Sequence, residues 1–296
     1  MKKITKILAM LAVFAVAFSF AGCKGDDSDS SNSGGGGNSG SSEQIPEGFV
    51  KVSGATITGK IADSKVFIDG RTVTISNFYI CDHEVTQKEY SDVMETNPSY
   101  FNSDPADKEI QENRPVENVS WYDALVYCNK RSMKEGLTPC YSISGSTDPS
   151  AWGTVPTSSN DNWNEATCDF TANGYRLPTE VEWEYAARGG NGLKGTQYIY
   201  AGSDTIDEVA WYKDNSGKKT HEVKTKTAND LGLYDMSGNV WEWCWDRYEV
   251  ISNRCVRGGA WFYDTKRALV AYRIFERLYI SYNHGNYGFR LVRTAK

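Results

Sequence analysis

The chain begins with a short apolar stretch that is preceded by positive charge. Three lysines, Lys2, Lys3 and Lys6, come before the run Ile7–Phe20, in which one residue of 14 is polar. A helix needs about 20 apolar residues to span a bilayer, so this run is too short for a transmembrane helix. The pattern predicts a signal peptide over residues 1–22.

A polar segment follows the apolar run. Residues 24–44 contain no apolar side chain that could join a core, and Gly, Ser, Asn and Asp dominate them. This composition predicts a disordered tether. Cys23 follows Ala21-Gly22, an arrangement similar to a bacterial lipobox, so we expect residues 23–44 to be a lipidated cysteine and its linker. The alternative is a plain secretory signal with an unrelated cysteine.

Periodic segments begin after the tether. Val50–Phe78 alternates apolar and polar residues, which predicts β-hairpins. Helix starts are indicated at Thr86, Ser120 and Thr179, because each precedes apolar residues at helical spacing. No internal repeat and no second linker interrupts this part, so we expect one folded domain over residues 45–296.

The charge balance argues against a nucleic-acid ligand. The formal charge is −6, and loss of the three leader lysines leaves 29 basic and 38 acidic side chains. Phosphate binding needs a basic face, so we expect no nucleic-acid partner. The GxSxG and HExxH motifs of common hydrolases are absent from the sequence. Its three histidines, His83, His221 and His284, give no pattern that supports a zinc site or a catalytic triad.

Six cysteines follow Cys23, and an exported protein allows them to form disulfides. Six cysteines permit fifteen pairings, and the sequence does not choose among them. Cys140 and Cys168 flank a polar insert rich in Ser, Asn and Asp, so a bridge between them is the preferred candidate. Buried thiols are the alternative.

Six ordered motifs rich in tryptophan and glycine mark the rest of the chain. They are Asn77–Thr86, Arg114–Trp121, Gly174–Glu184, Gly232–Trp243, Arg257–Trp261 and Gly288–Arg290. This order resembles the formylglycine-generating-enzyme or sulfatase-modifying-factor family. The resemblance implies a C-type-lectin-like fold, an α+β body with a small twisted antiparallel sheet, two main helices and much irregular loop.

The same resemblance implies a metal site but no required cofactor. Family members bind Ca²⁺ at positions that match Asp235, Gly238 (C=O), Val240 (C=O) and Glu242. Ligation by oxygen alone suits this hard cation, so a structural Ca²⁺ is expected. The alternative is a loop that Glu242 closes through hydrogen bonds without a metal.

The family's redox chemistry is not expected here. The formylglycine-generating enzymes use two cysteines shortly after the Arg-Gly-Gly motif, and no cysteine of this chain follows Cys255. A thiolate site for copper needs those residues. We therefore expect a protein that is not an enzyme.

Aromatic residues occupy the stretch where the enzymes carry their cysteines. Seven of the 26 residues of Phe262–Tyr287 are Phe or Tyr, about 27%, against about 10% for the whole chain. Aromatic anchors with small and polar neighbours are typical of adaptable binding surfaces. The predicted ligand-binding residues are Phe262, Tyr263, Asp264, Tyr272, Ile274, Phe275, Leu278, Tyr279, Ile280, Tyr282, Asn283, His284, Asn286 and Tyr287.

This segment also resembles that of the variable proteins of diversity-generating retroelements, which share the fold. The resemblance implies a diversified site at about residues 257–290 that binds a protein or glycan. We expect a non-catalytic lipoprotein anchored to the bacterial envelope, with the outer-membrane surface as its location. Two alternatives stay open: an exported family enzyme that uses other residues, such as His221 or His284, and a structural envelope protein whose aromatic side chains are all buried.

Overall fold

A computed structural model describes residues 44–58, 72–190, 196–247, 253–277 and 285–295. The predicted signal peptide, Cys23 and nearly all of the tether lie outside these residues. Glu43–Lys296 is one compact unit. None of the helices in the described ranges is long and apolar enough to cross a membrane.

The three predicted helix starts are confirmed. The helices are α1 (Gln87–Met94), α2 (Trp121–Lys134), α3 (Asp161–Asn164), α4 (Glu180–Ala187) and α5 (Ile206–Val209). Thr86, Ser120 and Thr179 each close a capping box: the N-cap side chain accepts from the backbone N–H three residues on, and the carboxylate of that residue accepts from the N-cap backbone N–H. Because α1 and α4 each have eight residues and α2 has 14, the described part holds three substantial helices where two were expected.

The strands form two four-stranded sheets and three short pairs in the described ranges. They are β1 (Phe49–Val52), β2 (Ala55–Thr58), β3 (Thr72–Ile75), β4 (Phe78–Cys81), β5 (Tyr141–Ser142), β6 (Thr167–Cys168), β7 (Tyr175–Arg176), β8 (Ala210–Trp211), β9 (Ser237–Gly238), β10 (Trp241–Arg247), β11 (Asn253–Arg257), β12 (Arg273–Arg277), β13 (Tyr287–Gly288) and β14 (Val292–Thr294). The first sheet has the order β1-β4-β14-β7 and the second β12-β11-β10-β13.

The pairing is mostly antiparallel, with two exceptions. β13 runs parallel to β10, and β8 runs parallel to β9. The expected small antiparallel sheet is confirmed, and β13 is parallel to β10 because it reaches that strand after a long connection rather than through a hairpin. The predicted hairpin region is borne out by the antiparallel pair β2–β3.

The helices cover two packed aromatic and aliphatic clusters. α2 buries Tyr122 and Leu125 in a cluster that also contains Trp243 of β10. α4 buries Trp183 in a second cluster, where it meets Ile80 of the first sheet. Both sheets therefore use the helices to remove their apolar faces from water.

A buried ion pair links α4 and β10 to the chain between β13 and β14. The guanidinium of Arg290 donates from Nε to Oε2 of Glu242 and from Nη2 to Oε1, both at 2.7 Å. The indole of Trp183 donates to the same Oε2 at 2.7 Å. All three side chains are fully buried, so each polar group depends on the others for its hydrogen bonds.

We predict that Arg290→Met destabilises the fold by about 3–5 kcal/mol, because it leaves the Glu242 carboxylate buried without its cation. Urea denaturation followed by fluorescence measures the change. The control is Arg247→Met, whose partner Glu165 is 60% exposed, and which should cost less than about 1 kcal/mol. Equal effects of the two substitutions would contradict the role given to Arg290.

Candidate functional site

Part of the aromatic C-terminal segment lines a surface cleft. The cleft has a volume of about 360 Å³. Its lining residues are Tyr100, Phe101, Lys218, Trp261, Phe262, Tyr263 and Asn286. Three of these rings belong to the segment predicted to bind ligand or to the motif before it, and two belong to the loop after α1.

The rings of the cleft contact one another edge to face. Phe101 meets Trp261 with centroids 5.0 Å apart and Trp261 meets Phe262 at 5.3 Å. Phe262 then meets Tyr263 at 5.9 Å, and Tyr263 meets Trp241 at 5.7 Å. Such edge-to-face pairs add to the stability that burial gives. The wall of the cleft is thus a continuous row of rings that rests on the core.

The turn before Trp261 places these rings. Gly258 and Gly259 have φ of +96° and +85°, and a Cβ on Gly259 would come within 2.8 Å of the carbonyl oxygen of Arg267. Only glycine suits this backbone. The turn directs Trp261 inward, where its indole donates to the carbonyl of Gly285 at 2.9 Å. The next side chain, Phe262, is consequently 54% exposed.

The predicted ligand-binding residues that the structure describes differ in solvent exposure. Phe262, Asp264 and Phe275 are exposed, and Tyr263, Tyr272 and Ile274 are half-buried. Of these six, Phe262 and Tyr263 line the cleft. The remaining predicted residues that precede Asn286, namely Leu278, Tyr279, Ile280, Tyr282, Asn283 and His284, lie outside the described residues.

Asn286 and Tyr287, both predicted to bind ligand, are buried. Tyr287 stacks on Trp243 at 5.5 Å, and its hydroxyl lies 3.1 Å from Oε2 of Glu276. The reason is its place in β13, which pairs with the central strand β10. Tyr287 is a core residue, whereas Asn286 still contributes to the cleft lining.

Three lining residues escaped the sequence analysis: Tyr100, Phe101 and Lys218. Tyr100 is 61% exposed. The sequence does carry one signal for this side of the cleft: Tyr100-Phe101 is an aromatic pair between polar residues. Its position opposite Trp261 depends on contacts that are more than 150 residues apart in sequence, so no local pattern could show it.

Comparisons with known proteins agree with this geometry. Residues 39–295 match the family described as "Sulfatase-modifying factor enzyme 1-like domain". The chain belongs to this family. The solved structure of Treponema denticola variable protein 1 is 38% identical to it, with a TM-score of 0.74, and the match covers 83% of this chain and 95% of that one. The C-type-lectin-like fold of the formylglycine-generating-enzyme type is thereby confirmed.

Two relatives found by sequence match different shares of the chain. Chaperone protein LppX of Paenibacillus barcinonensis is 43% identical over 239 residues, or 72% of this chain and 80% of that protein. Inactive C-alpha-formylglycine-generating enzyme 2 of Bos taurus is 38% identical over 111 residues, or 33% of this chain and 36% of its own length. The chain thus spans about a third of that bovine relative.

Of the residues at the calcium positions implied by the family, Glu242 is already engaged by other groups and Asp235 only in part. The Glu242 carboxylate already accepts three hydrogen bonds, two of them from the Arg290 guanidinium. Asp235 accepts from the backbone N–H of Lys224 at 2.8 Å, and its Oδ1 is buried without a hydrogen bond in the described part of the chain. Burial raises the pKa of Asp235 to about 6. A cation here would compete with Arg290 for Glu242.

At the other two positions the backbone N–H groups, not the carbonyl oxygens that a cation would use, make hydrogen bonds within the described residues. The Gly238 N–H donates to the carbonyl of Gly258 at 2.9 Å. The Val240 N–H donates to Oε1 of Glu84 at 3.1 Å. Burial raises the pKa of Glu84 well above its usual range. The structural Ca²⁺ and the hydrogen-bonded loop without a metal both stay predictions for this segment.

The described histidines are held by neighbours. Nδ1 of His221 lies 2.7 Å from Oε1 of Glu109, its Nε2 lies 2.7 Å from the carbonyl of Ser216, and its ring stacks on Trp211 at 3.8 Å. Because both nitrogens face acceptor oxygens, His221 has no nitrogen directed at a metal. His284 lies outside the described residues.

A second polar cluster surrounds His83. One ligand atom each from Cys81, Asp82 and His83 lies within 4.8 Å of the others. His83 forms an ion pair with Asp82, and its Nε2 lies 3.4 Å from Oε2 of Glu89. Burial alone would lower the pKa of His83, but Cys81, Asp82 and Glu89 raise it to about 12. The cluster is thus an ion-paired node beside the start of α1.

None of the six described cysteines is joined in a disulfide in this structure. Cys140 and Cys168 lie beside each other, since Tyr141 pairs with Cys168 and the Asp169 N–H donates to the Cys140 carbonyl at 2.8 Å. Burial raises the pKa of Cys140 to about 11. A bridge between Cys140 and Cys168 stays a prediction.

We predict that millimolar Ca²⁺ leaves the midpoint of thermal unfolding where it is in EDTA. An ion that bound the folded chain would raise that midpoint. We expect no such rise, because the Glu242 carboxylate is already paired with the Arg290 guanidinium. Differential scanning fluorimetry in the two buffers makes the measurement. A rise with Ca²⁺ that Asp235→Asn abolishes would contradict this interpretation and restore the calcium site.

Proposed function

We propose that this protein is a non-catalytic, ligand-binding lipoprotein displayed on the bacterial cell surface. The observation that carries the proposal is the row of rings around the cleft, with Phe262 and Tyr100 more than half exposed at its rim. Soluble proteins expose large apolar side chains together mainly where they bind a partner.

The frame beneath the cleft favours binding. Trp261 is buried behind Phe262, and its backbone N–H donates to the carbonyl of Asn239 at 2.8 Å. Side chains that are already packed lose little conformational entropy when a ligand arrives. A stiff base with exposed rings is therefore suited to recognition.

Thiol chemistry of the formylglycine-generating type is not supported. Cys255, the last cysteine of the sequence, is buried in β11, with its sulfur 3.1 Å from Oε2 of Glu180. Burial raises the pKa of its thiol, so the reactive thiolate is disfavoured. No cysteine lines the cleft among the described residues.

We infer that the ligand is a protein or a glycan and that it differs between copies of the protein. The likeness to Treponema denticola variable protein 1 supports a diversified segment at about residues 257–290. The leader and Cys23 support export and a lipid anchor, and the polar tether would let the domain extend from the membrane.

The test uses the detergent-solubilised full chain as the target. Binders are selected from a displayed peptide library, and a glycan array is screened in parallel. We predict that Phe262→Ser lowers the affinity for the selected ligands by about tenfold or more, and a tenfold loss is about 1.4 kcal/mol of binding free energy. Met133→Ser is the matched control, because Met133 is 47% exposed on α2 and does not line the cleft.

Ligands that bind the Phe262→Ser and Tyr263→Ser variants as tightly as the parent would contradict a binding role for the cleft. Turnover of a substrate by the parent chain would instead favour the enzyme alternative. Both variants change exposed or half-buried side chains, so their fold is checked by thermal unfolding.

A further inference from the structure

Glu117 lies buried beneath one wall of the cleft. Its Oε1 accepts from the backbone N–H of Phe101 at 2.8 Å, and its Oε2 accepts from the N–H of Tyr100 at 2.9 Å. The side chain has no exposed surface. One carboxylate thus holds both residues of the loop wall through their backbone.

The residue after Glu117 holds the opposite wall. Oδ1 of Asn118 accepts from the N–H of Gly285 at 3.1 Å. The carbonyl of Gly285 in turn accepts from the Trp261 indole. A Cβ on Gly285 would come within 2.9 Å of the Phe101 ring and 3.0 Å of Oε2 of Glu117, so the two walls touch here.

The Arg114 guanidinium acts on the Glu117 carboxylate through its charge, but it donates its hydrogen bonds to other groups. The Arg114 guanidinium lies over the Phe101 ring at 5.6 Å and donates to the carbonyls of Ser103 and Thr220. The other charged groups that act on Arg114 are Glu109 and Asp104. The Glu117 carboxylate is therefore stabilised chiefly by the two amides.

We propose that Glu117 is a positioning residue that couples the shape of the cleft to pH, because its ionised form holds Tyr100-Phe101 against Trp261 and its protonated form releases part of that wall. The proposal rests on the ligand-binding function proposed above, since it concerns regulation of the same cleft.

The chemistry follows from the two oxygens. An ionised carboxylate accepts one N–H at each oxygen, whereas a carboxylic acid carries a proton on one oxygen, which then accepts poorly. Protonation thus weakens the bond to Tyr100 or to Phe101. Burial raises the pKa of Glu117 to about 7, although the two amides and Arg114 oppose the rise. The acid form therefore gains population as the pH falls through neutrality.

The experiment is ¹⁹F NMR of the full chain labelled with 5-fluorotryptophan, titrated across neutral pH without any ligand. Loss of one resonance in Trp261→Phe assigns Trp261, which lies edge-on to Phe101. We expect the Trp261 resonance to shift with a midpoint near the pKa of Glu117, about 7. We expect no such shift in Glu117→Gln, and an unchanged shift in the control Glu112→Gln, whose side chain is exposed.

A Trp261 resonance that does not titrate in the parent chain, or that titrates equally in Glu117→Gln, would overturn the proposal. The first of these outcomes does not use Glu117→Gln, so misfolding of that variant does not prevent the test. Because no ligand is present, failure here leaves the binding proposal standing. Failure of the Phe262→Ser test in turn leaves this titration unaffected.

Discussion

The seating of the Trp261 indole is the interaction on which the candidate site depends. The Gly258-Gly259 turn directs Trp261 into the core, its Nε1 donates to the carbonyl of Gly285, and its ring packs edge to face with Phe101. Each contact joins a different part of the chain to the cleft. The indole is fixed from several sides, whereas the next side chain, Phe262, is 54% exposed. The exposed aromatic surface thus lies directly beside a buried and fixed tryptophan.

A buried hydrogen-bonded network holds the family fold together away from the cleft. The Glu242–Arg290 pair and the Trp183 indole hold α4, β10 and the C-terminal chain together, and none of these groups faces the cleft. Buried ion pairs of this kind need complete hydrogen bonding to persist. The scaffold is therefore separable from the surface it carries. Side chains at the rim can change while the network beneath them stays the same.

Local features could be predicted from the sequence, and distant contacts could not. The caps at Thr86, Ser120 and Thr179 form within three residues, so their motifs were sufficient. The burial of Tyr287 depends on the pairing of β13 with β10, which the hydrophobic pattern of the sequence does not predict. The loop wall at Tyr100 and the Glu242–Arg290 pair likewise join segments far apart in sequence. Family resemblance supplied the fold, but it did not show that Arg290 and Trp183 bond to Glu242.

The most direct test of a diversified binding surface is to sequence this gene in many independent isolates. The account predicts that substitutions concentrate within residues 257–290 at rim positions such as Phe262, while Trp261, Tyr287 and Arg290 stay unchanged. Substitutions spread evenly over the folded domain, or frequent replacement of Trp261, would contradict it.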